Sequence, residues 1–262
     1  MAKPLSFSEL VDATAQQQRA AGQARQNPVV GAEKPKDAIL DALSAVADAI
    51  APDGYAFLRS GPRFTRKCND FNFVISIHSD HNNAAGQRAA ISAYALVYSK
   101  VLAAWRKKHP SNWARLNTTP LFTRQLGYLC KPAGWMEWDF ANKAVRSAIV
   151  DDFIATIRTG AFPLFSIFEG PIADFAITDD NNQAPPEALL SHLLATGHVE
   201  LAEKTLSRRL DRKEELRAQF EKLFHQFSEQ GLPPCRASDA HNLAAFAVAT
   251  GYPWPTAGST TR

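Results

Sequence analysis

The stretch from Phe71 to His78 limits what this chain can fold into more than any other. Phe71, Phe73, Ile75 and Ile77 alternate with Asn72, Val74, Ser76 and His78. Side chains along a strand point to opposite faces in turn, so the first set is a core face and the second an outward, largely polar one. A strand with one apolar face needs partners beside it and a layer over it. The flanking sequence supplies both. Tyr55 to Arg59 and Phe64 to Lys67, joined by Ser60-Gly61-Pro62, read as a hairpin. Arg88 to Ser99 carries both periods and is taken as strand to about Tyr98, with helix from Ser99 to His109. Leu121 to Cys130 and Trp135 to Phe140 have strand composition, and Lys131 to Gly134 is the turn between them. The expected fold is therefore α+β, an antiparallel sheet of five or six strands between about Tyr55 and Phe140, covered by helices.

Two helices are expected to cover it. Ile39, Leu43, Val46 and Ile50 form one apolar stripe, with Asp37 as its cap. Val145, Ile149, Phe153 and Ile157 form a second, capped by Asn142 and ended by Gly160 before Pro163. Together these should seal the Phe71, Phe73, Ile75, Ile77 face. Beyond the loop Asp179 to Pro186 the pattern becomes helical hairpins: Glu187 to Thr196, Val199 to Leu210, Leu216 to Glu229 and Asp239 to Thr250. Three regions follow from this: a leader or arm over 1–36 with a capping-box pattern at Ser6 to Glu9, a sheet domain over 37–178, and a helical region over 187–252.

Composition narrows the function classes. Of 262 residues 45% are hydrophobic and 21% charged, which suits a folded globular chain. With 29 basic against 26 acidic residues, the net charge of +3 is too slight to argue for nucleic acid. The basic clusters at Arg63, Arg66 and Lys67, at Arg106 to Lys108, and at Arg208 to Lys213 do not change this, because the last alternates with acids as a salt-bridged helix face does. Three scattered cysteines, Cys68, Cys130 and Cys235, suggest neither a disulfide framework nor a metal knuckle and are expected as buried thiols. No window approaches the roughly 18 apolar residues of a membrane span, and MAKPLSFSEL has no apolar run after its lysine. A cytoplasmic location is expected.

The densest chemistry is His78-Ser79-Asp80-His81-Asn82-Asn83 at the end of the central strand. His78, Asp80 and His81 are ligand types for a metal-dependent hydrolase, but a catalytic zinc centre needs three converging ligands and an open position. His81 points away from the other two unless the loop folds it back, and Asp and Asn are ordinary turn residues. His192 and His198, six apart, complete no cluster. There is no G-x-S-x-G elbow, no phosphate-cradling loop, and no sign that Asp151-Asp152 or Asp179-Asp180 forms a working acid pair. No cofactor is expected. The residues expected to meet a protein partner are Asn72, Ser76, His78, Asp80 and His81 on the outward side of the sheet, with Trp113. Trp135 and Trp138 share that prospect, although core packing is the commoner fate of strand tryptophans.

In order along the chain, FNFVISIHSDHNN, a strand ending in ALVYS, LFTRQLGYLC, GWMEWDF and a helix ending in GAFPLFSIFEG resemble one family. It is the bacterial domain-of-unknown-function family numbered forty-three-oh-four. The resemblance covers about Ala38 to Gly170, and ALLSHLLATGHVELAEKTL is similar to the helical extension that many relatives carry. Where the family's central strand ends in glutamine-serine, this chain has His78-Ser79. The resemblance implies an α+β fold, no established enzyme activity, no catalytic residues, and a place among immunity proteins that neutralise toxins of competing bacteria. The functional expectation is thus a non-enzymatic protein-binding module, a cytoplasmic immunity protein acting on a cognate toxin. The alternatives are the hydrolase using His78, Asp80 and His81, and a scaffold gripping a peptide with its helical tail.

Overall fold

A computed structural model describes residues 31–108, 120–177, 186–211, 214–232 and 238–251. It is α+β, with a curled antiparallel sheet and a helical C-terminal region. Helix α1 (Pro35–Ile50) buries Ile39, Leu43, Val46 and Ile50, the stripe that its spacing implies. Its start differs from expectation. Pro35 occupies the first turn after Lys34, and Asp37 lies inside that turn rather than capping it. Proline suits this place because its missing N–H would have no intrahelical acceptor there. A short 3₁₀ turn, Ala51–Asp53, ends at Gly54 with φ of 85°, a left-handed backbone that glycine adopts without strain.

The strands are β1 (Ala56–Leu58), β2 (Arg63–Cys68), β3 (Phe71–Ser79), β4 (Ala90–Ser99), β5 (Phe122–Gln125) and β6 (Trp138–Asp139). They lie in the order β1-β2-β3-β4-β5, with β6 also on β4. β1 and β2 form the expected hairpin with Phe57 opposite Phe64. β4 resolves the ambiguous segment as strand, followed by helix α2 (Lys100–Lys108). In β4 Ile91, Ala93, Ala95 and Val97 are buried while Ser92, Tyr94, Leu96 and Tyr98 are half-exposed.

Two strands are shorter than composition implies. β5 stops at Gln125 and passes into a 3₁₀ turn, Leu126–Leu129, because the Gln125 amide holds it there: Oε1 accepts from Gly127 N at 2.8 Å and Nε2 donates to Met136 O at 2.6 Å. Any Cβ on Gly127 would collide with the Gly134 carbonyl, so only glycine lets the two segments approach this closely. β6 pairs only through Trp138 and Asp139, opposite Ile91 and Ala90.

The second covering helix also departs from expectation. α3 (Arg146–Thr156) does not end at Gly160 but widens into a π turn, Ile157–Ala161, and continues as α4 (Phe162–Glu169). Phe162 N–H reaches back five residues to Ile157 O, which admits Pro163 just beyond it without breaking the helix. Gly160 is there for proximity: a Cβ would meet Cys130 Sγ at 3.1 Å and Leu129 Cβ at 3.2 Å.

The chain divides into two compact units that interleave in sequence. The first takes its described residues from 1–66, 74–95 and 125–164. Here α1 packs on α3, and Trp138 lies tilted against Phe153 with ring centres 4.6 Å apart and its Nε1 donating to Asp152 Oδ2 at 2.9 Å, so Asp152 anchors the buried indole. Arg146, 9% exposed, donates to Phe140 O at 2.7 Å, Glu33 Oε2 at 2.6 Å and Asp41 Oδ2 at 3.2 Å. The Arg146 hydrogen bond, opposed by some desolvation, holds the Glu33 carboxyl below its ordinary range. Glu33 therefore ties the end of the expected arm into this unit; positions 1–30 lie outside the described residues.

The second unit takes its described residues from 67–73, 96–124 and 165–262. Phe73 stacks on Phe165 of α4 at 4.9 Å, so the helix beyond Gly160 covers part of the β3 core face. After α5 (Ile172–Ile177) come α6 (Pro186–Ala195), α7 (Val199–Asp211), α8 (Glu214–Gln230) and α9 (Asp239–Ala249), close to the helices expected from periodicity. α6 touches α2, α7 and α9, which explains why Ala188 to Leu193 are buried without a break. Cys68 and Cys130 are half-buried rather than buried, and Cys235 lies outside the described residues. Among the described residues no helix is long and apolar enough to cross a membrane.

Candidate interaction surface

Alternation along β3 and β4 turns Ser76, His78 and Tyr94 to the outward side of the first unit, where Trp135 joins them. Ser76 Oγ lies 3.2 Å from His78 Nε2. The His78 ring meets Tyr94 edge-on at 4.9 Å, and Tyr94 meets Trp135 edge-on at 6.2 Å. Trp135 is 53% exposed, the most of any large hydrophobic side chain among the described residues. Exposed indole is costly in water, and edge-to-face packing fixes the ring planes.

A polar chain fixes the row's far end. Trp135 Nε1 donates to Glu137 Oε1 at 3.1 Å, Arg88 donates to Glu137 Oε2 at 2.7 Å, and Arg88 also donates to Asp80 Oδ2 through Nη2 at 2.8 Å and Nε at 3.1 Å. Asp80 Oδ1 accepts from Asn82 N at 2.8 Å, an Asx turn that opens the loop. Desolvation raises the Asp80 carboxyl, but the Asn82 N–H and the Arg88 guanidinium outweigh it and leave it below its ordinary range. Asn83 closes the loop: its amide nitrogen donates to Ala90 O at 2.9 Å, and its Oδ1 accepts from Ala90 N at 2.7 Å.

The residues singled out from sequence are thus separated. Ser76 and His78 lie in the aromatic row, and Asp80 is a structural anchor with both oxygens engaged. His81 is 84% exposed beside Asp80 Oδ1 at 3.2 Å, and His78 faces Ser76 and Tyr94 instead. The geometry does not gather His78, Asp80 and His81, and among the described residues no group of three or more His, Cys, Asp or Glu is placed to hold a metal ion. Asn72 is on the same side of β3 as Ser76, but Val74 between them is 6% exposed, so the open surface does not extend along the whole strand. Trp113 lies outside the described residues.

Sequence reasoning did not assign Tyr94, Arg88 and Glu137 to this surface. The signal was present in GWMEWDF, where Trp135, Glu137 and Asp139 alternate with Met136, Trp138 and Phe140. Trp138 and Phe140 are 2% and 0% exposed, so one tryptophan meets the core fate and the other does not. Fold and surface define a class: an α+β protein presenting an ordered aromatic row, braced by an ion-pair chain, on the outward side of a sheet. Compared with protein-family models, curated proteins and solved structures, the chain finds no match in any of the three.

Proposed function

We propose that this chain is a protein-binding module without catalytic chemistry of its own, and that it binds through the row His78, Tyr94 and Trp135. The observation that carries the reading is Trp135, half-exposed yet held by a hydrogen bond to Glu137 and by the Tyr94 ring. Tryptophan and tyrosine dominate the energetics of protein interfaces, and a ring already immobilised loses little entropy on binding. Asp80, Arg88 and Glu137 form the polar border such a patch needs to exclude water.

The partner in this proposal is a toxin of a competing bacterium, with the chain acting as a cytoplasmic immunity protein. The resemblance of the blocks between Ala38 and Gly170 supports it. The net charge of +3 weighs against a nuclease target, whose inhibitors commonly present acidic, phosphate-like surfaces. The test is co-purification of the full chain with the product of the adjacent gene, together with protection of cells expressing that product. Trp135→Ala should weaken the complex by about 2 kcal/mol, roughly thirtyfold, without changing the fold. A pair that neither associates nor protects, or an affinity indifferent to Trp135→Ala and Tyr94→Ala, would sink the reading.

A further inference from the structure

Within the second unit a cavity of about 230 Å³ lies beside α6. Phe71 and the buried Phe168 and Phe175 line it, with rings 4.9 to 6.1 Å apart. His192, 2% exposed, also lines it, with its ring 5.6 Å from that of Phe71 and 6.0 Å from that of Phe175. Its Nδ1 is engaged, 3.0 Å from Ser99 Oγ, and that hydroxyl also accepts from Leu102 N at 3.1 Å at the start of α2. Nε2 has no hydrogen-bond partner among the described residues. Nε2 is not among the side-chain atoms sealed away without a partner, so its hydrogen-bonding capacity is open to what enters the cavity. The cavity's exposed lining residues include two carboxylates, Asp70 and Glu169, and His198.

We infer that this cavity is a binding site for a small arylalkylamine, whose ring packs on Phe71 and Phe175, whose hydroxyl meets His192 Nε2 and whose ammonium lies toward Asp70 and Glu169. The volume fits, since a cavity of about 150 Å³ already admits benzene and this one leaves room for a short side chain. A phenol hydroxyl both donates and accepts, so it satisfies Nε2 whichever ring nitrogen carries the proton. Burial, with help from His198 and against Asp70, lowers the His192 imidazole to about 4. It is therefore neutral near pH 7 and does not repel a cation. Aromatic walls under a carboxylate rim favour an ammonium over an anion.

The experiment titrates the full chain with tyramine, tyrosol and phenethylamine, read by ligand-observed NMR and calorimetry. Tyramine offers both polar groups, tyrosol lacks the cation and phenethylamine lacks the hydroxyl. Tyramine should bind tightest. His192→Phe, which keeps a ring but removes Nε2, should weaken tyramine about tenfold and leave phenethylamine nearly unchanged. Asp70→Asn, at an exposed rim position that cannot disturb the core, should weaken tyramine about threefold and leave tyrosol unaffected. No binding of tyramine by about 10 mM, where fragment-sized ligands register, overturns the inference. So does equal affinity for the three probes, or tyramine binding indifferent to both substitutions.

Discussion

Acid should destabilise this protein through one imidazole before it touches any carboxylate. His192 is 2% exposed, sits against Phe71 and Phe175, and titrates near 4 rather than its ordinary 6.5. Burial is the chief cause, because the charged form loses water that the surrounding rings do not replace. In the unfolded chain the same group takes up its proton near 6.5, so between the two values the unfolded state holds more protons and stability rises with pH. The contribution is complete above about pH 7 and is lost as pH falls toward 4. At 1.36 kcal/mol for each tenfold change, the full loss is about 3 kcal/mol, of which about 1.4 is gone by pH 5.5 and about 2.5 by pH 4.5. Urea unfolding followed by circular dichroism on the parent and on His192→Gln, at about pH 7.5, 5.5 and 4.5, isolates this effect from every other titrating group. Near neutral pH the variant should be the less stable, having lost the ring packing. On acidification the gap should close by about 2.5 kcal/mol. A gap that stays constant from pH 7.5 to 4.5 would refute the argument, since it would mean that His192 takes up its proton equally easily in both states.

Three further outcomes are expected. Arg146→Met should lower stability by about 1–3 kcal/mol, because Phe140 O loses its side-chain donor and Glu33 and Asp41 lose theirs, and thermal unfolding checks it. Gly160→Ala should destabilise by about 1 kcal/mol despite alanine's higher helix propensity, since the new methyl meets Cys130 Sγ and Leu129 Cβ at 3.1 and 3.2 Å. A stabilised Gly160→Ala protein in the same melt would show that those neighbours yield. Asp80→Asn should release Arg88 and loosen the loop from Asp80 to Ala89, raising amide exchange at Asn82 and Asn83 while β3 stays protected.

What the sequence determined alone is the set of elements whose pattern is local. β3 follows from alternation over eight residues, and α1 and α6 to α9 from apolar repeats over several turns, periods that need no knowledge of distant partners, whereas the segment of β4 carries both periods and only its pairing settles it as strand. Ser76 and His78 were legible as outward-facing for the same reason. What tertiary structure alone decided depends on which distant segment lies opposite. β5 ends where Gln125 caps the next turn, Gly160 lies inside a continuing helix as glycine because Leu129 and Cys130 crowd it, and Trp138 is buried against Phe153 while Trp135, three residues earlier, stays exposed. Asp80 is an anchor rather than a ligand because Arg88 reaches it, and His192, unremarkable by spacing, acquires its chemistry from Ser99, Phe71 and Phe175. Periodicity assigns a side chain to a face, but only the packing of that face sets its solvation, and solvation sets whether a histidine is charged or an indole is free to bind.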